Sequence, residues 1–279
     1  MNQVTLSNLM VQIGSKKELD PDLVRHMVLN SLRSYRSRFT DEFGELVLCY
    51  DNKTNWRRDV FPNYKHSRRK DRKSSKLDWN AIFDTLHLIR DELTEYFPYK
   101  VLEVENAEAD DIIASVVFHV ASEPKNYEKV LILSGDKDFI QLQKHKFVSQ
   151  YSPIQKKFMN GVDPTTYIKT HILQGDRSDG VPNFLSPDNT FVDELRQKPI
   201  SKRKLETWID LEPEDFCNEN MMRNYHRNRT LIDLDYIPKE IVDLCIKTFI
   251  DAEHKDRKNL LNYFIKYRLK SLMENIGDF

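Results

Sequence analysis

Cysteine, glycine and long apolar runs are scarce in this 279-residue chain, and each scarcity excludes a class of protein. The three cysteines, Cys49, Cys217 and Cys245, lie far apart and form no CxxC pair, which argues against a disulfide framework and a thiolate zinc site. Seven glycines leave little room for phosphate-cradling loops, and neither GxGxxG nor a Walker pattern occurs. We therefore expect a protein of a reducing compartment without such a loop.

No apolar run approaches the roughly 20 residues of a membrane span, and the opening MNQVTLSNLM lacks the regions of a signal peptide. Apolar residues make up 39% and aromatic residues 11%, enough for a core, so the composition excludes disorder of the whole chain. We expect a soluble monomer without a membrane partner, built as one large domain or as a main domain with a smaller lobe.

The net charge of −1 conceals a strong separation of charge along the chain. Residues 53–76 carry ten Lys and Arg against two Asp, whereas residues 102–111 carry five carboxylates and no base. Since a solvated face usually mixes its signs, this separation is informative about binding partners.

Short apolar segments alternate with helical patterns in the amino-terminal half. Buried strands are predicted within 45–51, 100–104, 129–138 and 146–152, with helices after Asp20-Pro21, Asp78 and Ala109 between them. This alternation predicts an α/β fold with a mostly parallel central sheet and helices on both of its faces.

From about residue 160 the strand signal fades, and the remainder indicates a helical carboxy-terminal lobe. Asp163-Pro164 opens a helix through Leu173, and a last helix is predicted near 257–275. We place the boundary near residue 155, giving an α/β domain over 1–155 and a helical domain over 156–279.

Four groups of carboxylates accompany these elements: one follows the strand VLCY, one opens a helix in EADD, one follows VLILS in SGDKD, and one lies in GDRSD. Their members are Asp51, then Glu108, Asp110 and Asp111, then Asp136 and Asp138, then Asp176 and Asp179. In an open α/β sheet, ligands gather beyond the carboxyl ends of the strands. Packed like charges repel unless cations occupy the site.

Carboxylate oxygens without nearby His or Cys favour Mg²⁺ or Mn²⁺ over zinc, and two such ions could hydrolyse a phosphodiester. Each motif alone has a simpler interpretation. Asp136 and Asp138 could form a helix N-cap pair or contain a phosphatase nucleophile, and EADD could be a charged first helical turn. The conjunction of four groups beside a basic segment favours the metal site.

The basic segment over 56–69 reads WRRDVFPNYKHSRR, in which aromatic and basic residues are interleaved as on nucleic-acid surfaces. Its simplest alternative is a solvated basic loop. Arg57, Lys65 and Arg68 could hold a phosphate diester and stabilise charge that develops in the transition state. The eight histidines form no HxH or HExxH pattern, so no histidine is assigned a role.

These motifs, in this order, resemble those of the 5′-nuclease (flap endonuclease) family and its phage ribonuclease H members. The segments LIDLDYIP at 231–238 and KSLMENIGDF at 270–279 are also similar, so the resemblance covers nearly the whole chain. It implies a PIN-like fold and an enzyme that removes RNA primers and short 5′ flaps from lagging-strand DNA by 5′→3′ cleavage during phage replication.

The resemblance also implies roles for individual residues. Ligands of a first Mg²⁺ would be Asp51, Glu108, Asp110 and Asp136, with Asp111 close by, and ligands of a second would be Asp138, Asp176 and Asp179; Mn²⁺ could substitute. An arch over 53–78 would carry the catalytic Arg57, Lys65 and Arg68 and the nucleic-acid-binding Arg58, Arg69, Lys70, Arg72 and Lys73.

Duplex DNA would be held by a helix-hairpin-helix-like element near 163–183. The implied partners are DNA and RNA–DNA hybrids with 5′ flaps or ends, a phage single-strand DNA-binding protein and a sliding clamp, in the cytoplasm of the infected bacterium. Rival functions are a non-catalytic DNA-binding accessory protein and a phosphatase that uses Asp136 as its nucleophile.

Two departures from the family pattern are visible. After GDRSD the chain reads GVPNFLSPDNTF in place of a glycine-rich hairpin, so we expect a different grip on the duplex backbone. Family members also open with an apolar strand that ends in an aspartate, and Met1 stands where the residue after that aspartate belongs. We therefore expect that strand and one metal ligand to lie ahead of Met1, or to have been removed.

Overall fold

The computed structural model describes residues 1, 19–75, 77–123, 128–253 and 255–279, without the side chains of residues 69–71 and 73. The elements of the first half are α1 (Pro21–Phe43), β1 (Val47–Tyr50), α2 (Arg57–Val60), α3 (His66–Ser74), α4 (Trp79–Tyr96), β2 (Lys100–Glu103), α5 (Ala109–Ser122), β3 (Val130–Leu133), a 3₁₀ helix (Lys137–Lys144), β4 (Val148–Ser152) and β5 (Lys157–Phe158). Those of the second half are α6 (Pro164–Gln174), α7 (Lys202–Ile209), α8 (Pro213–Phe216), α9 (Glu219–Ile232), a 3₁₀ helix (Leu234–Tyr236), α10 (Lys239–Asp251), α11 (Lys258–Lys266), α12 (Lys270–Met273) and a 3₁₀ turn (Ile276–Asp278).

Helix α1 begins where the sequence predicts, because Asp20 caps it and a proline occupies its first turn. The Asp20 carboxylate accepts hydrogen bonds from the backbone N–H groups of Asp22 and Leu23. Helix α4 begins in the same way at Asp78, whose carboxylate accepts from Asn80 and Ala81. Both predicted helix starts are confirmed.

The predicted parallel sheet is confirmed, in two hydrogen-bonded pieces among the described residues. Strands β1 and β2 are parallel, with Val47 opposite Lys100. Strands β3 and β4 are also parallel, and the short β5 adds an antiparallel edge to β4. Asp51 after β1 and Asp136 after β3 line one cleft, so the carboxyl ends of both strands lead to the acidic groups.

Helices cover both faces of β1, as the sequence predicts. Leu48 and Tyr50 belong to a hydrophobic cluster with α1, α4 and residues 260–279, whereas Cys49 belongs to a second cluster with α5 and α10. Since successive side chains of a strand point to opposite faces, the two clusters lie on opposite sides of the strand. No helix in the described part of the chain combines the length and apolar character needed to cross a membrane.

The last helix predicted near 257–275 is wrong in one respect, because the structure has two helices there, α11 and α12. Arg268 adopts a left-handed backbone with φ 56°, and the N–H of Leu269 donates to the carbonyl of Phe264 at 2.8 Å. This bonding pattern ends a helix and turns the chain. It directs Leu269, 7% exposed, into the core.

The helix-hairpin-helix-like element near 163–183 stays a prediction, and the structure describes the elements of this segment. Helix α6 ends at Gly175, a turn closed by a bridge between Asp176 and Val181 follows, and the next helix begins only at Lys202. Proline has no backbone N–H, so Pro182 and Pro187 disfavour a helix directly after the turn. The domain boundary near residue 155 stays a prediction.

A cleft of about 330 Å³ separates the edges of β1 and β3. Apolar residues such as Leu32 and Phe39 of α1 and Ile113 of α5 line it, and Met1 lies against it. The α-amino group of Met1 donates to the carbonyl of Cys49 at 2.7 Å, and burial lowers the pKa of this amino group. Among the described residues, no backbone hydrogen bond joins the two edges across the cleft.

The strand expected ahead of Met1 stays a prediction, and this cleft provides a test. Extending the amino terminus by about five apolar residues that end in Asp should raise the melting temperature by several degrees, because backbone groups gain partners and apolar area is buried. Thermal unfolding followed by circular dichroism measures the effect. A polar extension of equal length is the control, and equal melting temperatures for all three chains would contradict the prediction.

Candidate active site

A cleft of about 880 Å³ opens beyond the carboxyl ends of β1 and β3, at the start of α5. Carboxylates from each of the four acidic groups line it: Asp51, Asp110, Asp136, Asp138, Asp176 and Asp179. The structure therefore brings together six of the predicted metal ligands, although they come from segments as far apart as 51 and 179 in the sequence.

Glu108 caps the start of α5 and lines a small cavity of about 20 Å³ that Asp110, Asp138 and Asp176 also line. It contacts the Lys65 ammonium, and its Oε2 lies 2.9 Å from the Tyr64 hydroxyl. Burial would raise the pKa of the Glu108 carboxyl, but Lys65 and Arg57 lower it below its ordinary value. Glu108 is thus held ionised at the edge of the site.

The pKa of the Asp110 carboxyl is shifted in the opposite direction from that of Glu108. Burial, together with the charges of Asp136 and Glu108, raises the pKa of its carboxyl well above the ordinary value. Asp51 lies beside it and accepts a hydrogen bond from the N–H of Ala109 at 2.9 Å. Bringing a cation to this group would relieve the repulsion, as expected of a metal site.

Asp111 lies below the cleft rather than in it. Its side chain is fully buried and pairs with the Arg57 guanidinium at 2.8 Å. The same carboxylate accepts from the indole N–H of Trp56 at 3.2 Å and from the backbone N–H of Glu108 at 2.8 Å. Asp111 therefore faces the protein interior and fixes the start of α5, and its place close to a first metal stays a prediction.

Arg57 also differs from its predicted position in an arch above the site. It is 3% exposed, and its Nε donates to the carbonyl of Leu231 in α9 at 2.9 Å. With Asp111 and Glu108 as its other partners, the guanidinium lies at the small cavity of about 20 Å³ that Glu108 lines, where burial is compensated by charge. The basic pattern in the sequence did not distinguish a buried arginine from an exposed one.

Lys65 and Arg68 face the cleft as predicted by their spacing. The Lys65 ammonium contacts Glu108 and lies 3.4 Å from Asp179, and Arg68 pairs with Asp179 at 2.5 Å. Lys65 has a left-handed backbone with φ 56°, and its N–H donates to the carbonyl of Asp179 at 2.7 Å. The backbone and the side chain of Lys65 are thus both tied to the turn after α6.

Tyr64 is a site residue that the sequence analysis did not identify. Its hydroxyl lies 2.9 Å from Glu108 Oε2 and 2.7 Å from Asp179 Oδ2, so it bridges two acidic groups. A phenol has one proton and can donate to only one of them at a time. The signal for it was its place beside Lys65 in an aromatic-basic segment.

The structure describes only some of the remaining basic side chains in this segment. Arg72 in α3 is exposed and lies 4.9 Å from the ring centroid of Phe83 and 5.4 Å from that of Trp79. Arg58 is half-buried. The side chains of Arg69, Lys70 and Lys73 lie outside the described residues, and the arch over 53–78 stays a prediction.

His171 is the second residue that the sequence analysis missed. It lies on α6, lines the cleft, and places its Nδ1 3.4 Å from Asp138 and its Nε2 3.7 Å from Asp176. No local motif marks it, because its partners come from two other segments. The available signal was its position one helical turn before the end of a helix that leads into GDRSD.

The turn after α6 needs glycine at its first position. Gly175 has φ 69°, and a Cβ there would lie 2.4 Å from the carbonyl oxygen of Val181. The N–H of Val181 donates to the carbonyl of Asp176 at 2.7 Å and closes the turn. This close packing places Asp176 and Asp179 at the cleft.

Comparison with family models covers most of the chain. The model described as 5′-3′ exonuclease, N-terminal resolvase-like domain, matches residues 20–171, more than half of the chain. The chain belongs to this 5′–3′ exonuclease family. A second model, T4 RNase H, C terminal, matches residues 163–279.

Relatives of known activity agree with this membership. The ribonuclease H of Enterobacteria phage T4 is 33% identical over 288 aligned positions, which cover 100% of this chain and 93% of that protein. A 5′-3′ exonuclease of Buchnera aphidicola is 28% identical over 148 positions, covering 50% of this chain and 47% of that protein. The predicted family is confirmed, as is its 5′–3′ exonuclease and flap endonuclease activity on phosphodiester bonds. The non-catalytic alternative is not favoured.

Solved structures confirm the predicted fold. The T5 D15 protein, crystallised with metal ions, is similar with a TM-score of 0.55 and 16% identity over 82% of this chain and 93% of that chain. The T5 D15 flap endonuclease in a complex with DNA and metal ions gives a TM-score of 0.55 and 16% identity over 81% and 90%. At this identity the likeness shows the PIN-like α/β fold alone.

The buried position of Arg57 generates a stability prediction. Replacing Arg57 by Met should lower the free energy of unfolding by about 3–5 kcal/mol, because Asp111 and Glu108 lose their buried counter-charge. The same replacement at the neighbouring, half-buried Arg58 should change it by less than about 1 kcal/mol. Urea unfolding of the three proteins at neutral pH measures the difference. Equal midpoints for Arg57→Met and the unsubstituted protein would contradict this assignment.

Proposed function

We propose that this 5′-nuclease removes RNA primers and 5′ flaps from the lagging strand during phage replication, in the cytoplasm of the infected bacterium. The observation that carries the proposal is the convergence of six carboxylates in one cleft with Lys65 and Arg68 on its wall. Cations bound to the carboxylates and the basic side chains would together attract a phosphodiester. The matches to nucleases give no support to a phosphatase.

The donor set fits divalent cations. Asp51, Asp110 and Asp136 offer carboxylate oxygens to one ion, as Mg²⁺ or Mn²⁺ requires, and Glu108 lies beside them. Asp138, Asp176 and Asp179 would hold a second ion. The raised pKa of the Asp110 carboxyl supports a cation as the missing counter-charge. Mg²⁺ bound here would supply an activated water and stabilise the leaving oxygen.

The basic residues divide into two roles in this proposal. Lys65 and Arg68 lie at the cleft and would neutralise the phosphate whose negative charge grows in the transition state. Arg57 would act indirectly, because it holds Glu108 and Asp111 in place from below. Tyr64 would position Glu108 against Asp179.

Substrate binding would extend beyond the cleft along the basic segment. Arg58, Arg69, Lys70, Arg72 and Lys73 would contact backbone phosphates of DNA or of an RNA–DNA hybrid with a 5′ flap or end. The complex of the T5 flap endonuclease with DNA supports a nucleic-acid substrate. We further propose that the enzyme acts as a monomer with a phage single-strand DNA-binding protein and a sliding clamp.

Removing two carboxylates tests the metal assignment. Replacing both Asp136 and Asp138 by Ala should lower cleavage of a 5′-flap substrate in Mg²⁺ by at least about a hundredfold. Binding measured by fluorescence anisotropy in a chelator should stay equal or become tighter, because the cluster repels phosphate when no cation is present. The control replaces the exposed Asp243 and Asp251 of α10 by Ala. Near-normal turnover of the Asp136 and Asp138 double variant would contradict the site.

Lys65 and Arg72 should differ in what they contribute. Lys65→Ala should lower the rate of a single turnover by about a hundredfold, because a cation at the scissile phosphate acts chiefly on the transition state. Arg72→Ala should weaken DNA binding. It should also reduce the slope of log affinity against log salt concentration by about the amount that the loss of one phosphate contact causes. Single-turnover kinetics and anisotropy at several salt concentrations separate these effects. If Lys65→Ala lost binding and rate equally, Lys65 would be a steering charge.

A further inference from the structure

His171 lies between two carboxylates that different segments supply. Asp138 comes from the 3₁₀ helix after β3, and Asp176 comes from the turn after α6. One donor atom from each of the three side chains lies within 4.8 Å of the other two. These side chains are 17–26% exposed, so they are shielded but reachable from the cleft.

The histidine ring is held in a defined orientation. Tyr167, one turn earlier on α6, places its hydroxyl 3.1 Å from His171 Nδ1 and donates to Asp138 Oδ1 at 3.3 Å. The N–H of Gly175 donates to the His171 carbonyl at 2.8 Å, which fixes the end of the helix. The ring therefore projects from a rigid element toward both carboxylates.

The separations between the histidine ring and the two carboxylates are longer than most direct hydrogen bonds. His171 lies 3.4 Å from Asp138 and 3.7 Å from Asp176, whereas N–H···O bonds are mostly about 2.9 Å long. Two neighbouring ligands at about 2.1 Å from a common ion stand roughly 3.0–3.5 Å apart, so His171 Nε2 and Asp176, 3.7 Å apart, need only a small approach to share one ion. The two carboxylates face different ring nitrogens. Nε2, beside Asp176, would bind the ion, and Nδ1–H would donate to Asp138 Oδ1, since a metal-bound histidine usually donates its other ring N–H to a carboxylate. Asp138 would reach the ion through its other oxygen.

We propose that His171, Asp138 and Asp176 form a mixed nitrogen–oxygen metal site that prefers a first-row transition ion such as Mn²⁺ or Zn²⁺ over Mg²⁺. Imidazole suits transition ions, whereas carboxylate-only sites suit Mg²⁺. The other half of the cleft, at Asp51, Asp110 and Asp136, offers oxygen ligands and keeps the preference for Mg²⁺. This corrects the sequence-based expectation that no histidine lies near the acidic groups. The inference rests on the proposed metal-dependent function and deepens it.

Pulsed electron paramagnetic resonance of the full chain with Mn²⁺ tests the proposal directly. The bound ion should show ¹⁴N couplings from an imidazole. Incorporation of ¹⁵N-histidine should replace them by ¹⁵N couplings, and this result requires no variant protein. His171→Gln should abolish the couplings. His87→Gln, at an exposed position on α4, is the matched control and should keep them.

Calorimetric titration provides a second readout. His171→Gln should lose about tenfold in Mn²⁺ affinity at one site and should change Mg²⁺ affinity by less than about threefold. Mn²⁺ binding without nitrogen coupling, or an equal loss for both ions, would overturn the proposal. If the protein cleaves flaps while no coupling is seen, the nuclease function stands and this inference fails. If coupling is seen without cleavage, the inference stands and the proposed function fails.

Discussion

The buried ion pair between Arg57 and Asp111 is the interaction on which the site depends. Through one guanidinium it joins the basic segment to the start of α5 and, at the Leu231 carbonyl, to the end of α9. A charge removed from water is costly unless it is paired and hydrogen-bonded, so Arg57 tolerates few alternative arrangements of these three segments. Glu108 also pairs with the Arg57 guanidinium, so the position of Glu108 at the edge of the cleft depends on the same arginine. The arginine thus stabilises the site from the small cavity of about 20 Å³ that it lines together with Glu108 and Asp110.

Charges within the cleft are balanced by the basic residues that are proposed to bind substrate. Lys65 lies between Glu108 and Asp179, and Arg68 pairs with Asp179. Asp110 is compensated less, because burial and neighbouring carboxylates raise its carboxyl pKa in spite of the charge of Lys65. Cations bound at the carboxylates would take over the role of Lys65 and Arg68 as counter-charges. Both side chains would then be released to meet a phosphate, so metal loading and substrate binding would support each other through shared electrostatics.

Local patterns in the sequence were sufficient for the elements and for the acidic groups. Helix caps at Asp20 and Asp78, and apolar segments that end in acids, depend on neighbours within a few residues and can be recognised directly. Burial of Arg57 and the place of His171 depend on contacts between segments more than thirty residues apart, which no local period encodes. The left-handed backbone of Arg268 is likewise not indicated by any local sequence pattern, since its conformation follows from the packing of Leu269 into the core. The site was predictable as a set of carboxylates with Lys65 and Arg68 beside them, but the burial of Arg57 and the position of His171 were not.

The two halves of the cleft differ because opposite ends of two helices form them. The start of α5 carries Asp110 and Asp111 in its first turn, where the positive end of the helix dipole favours carboxylates. The end of α6 carries His171 in its last turn, where the negative end favours a basic side chain. One half is therefore predisposed to offer oxygen ligands alone, and the other can include a ring nitrogen. The proposed difference in metal preference between the halves would then follow from where the helices begin and end.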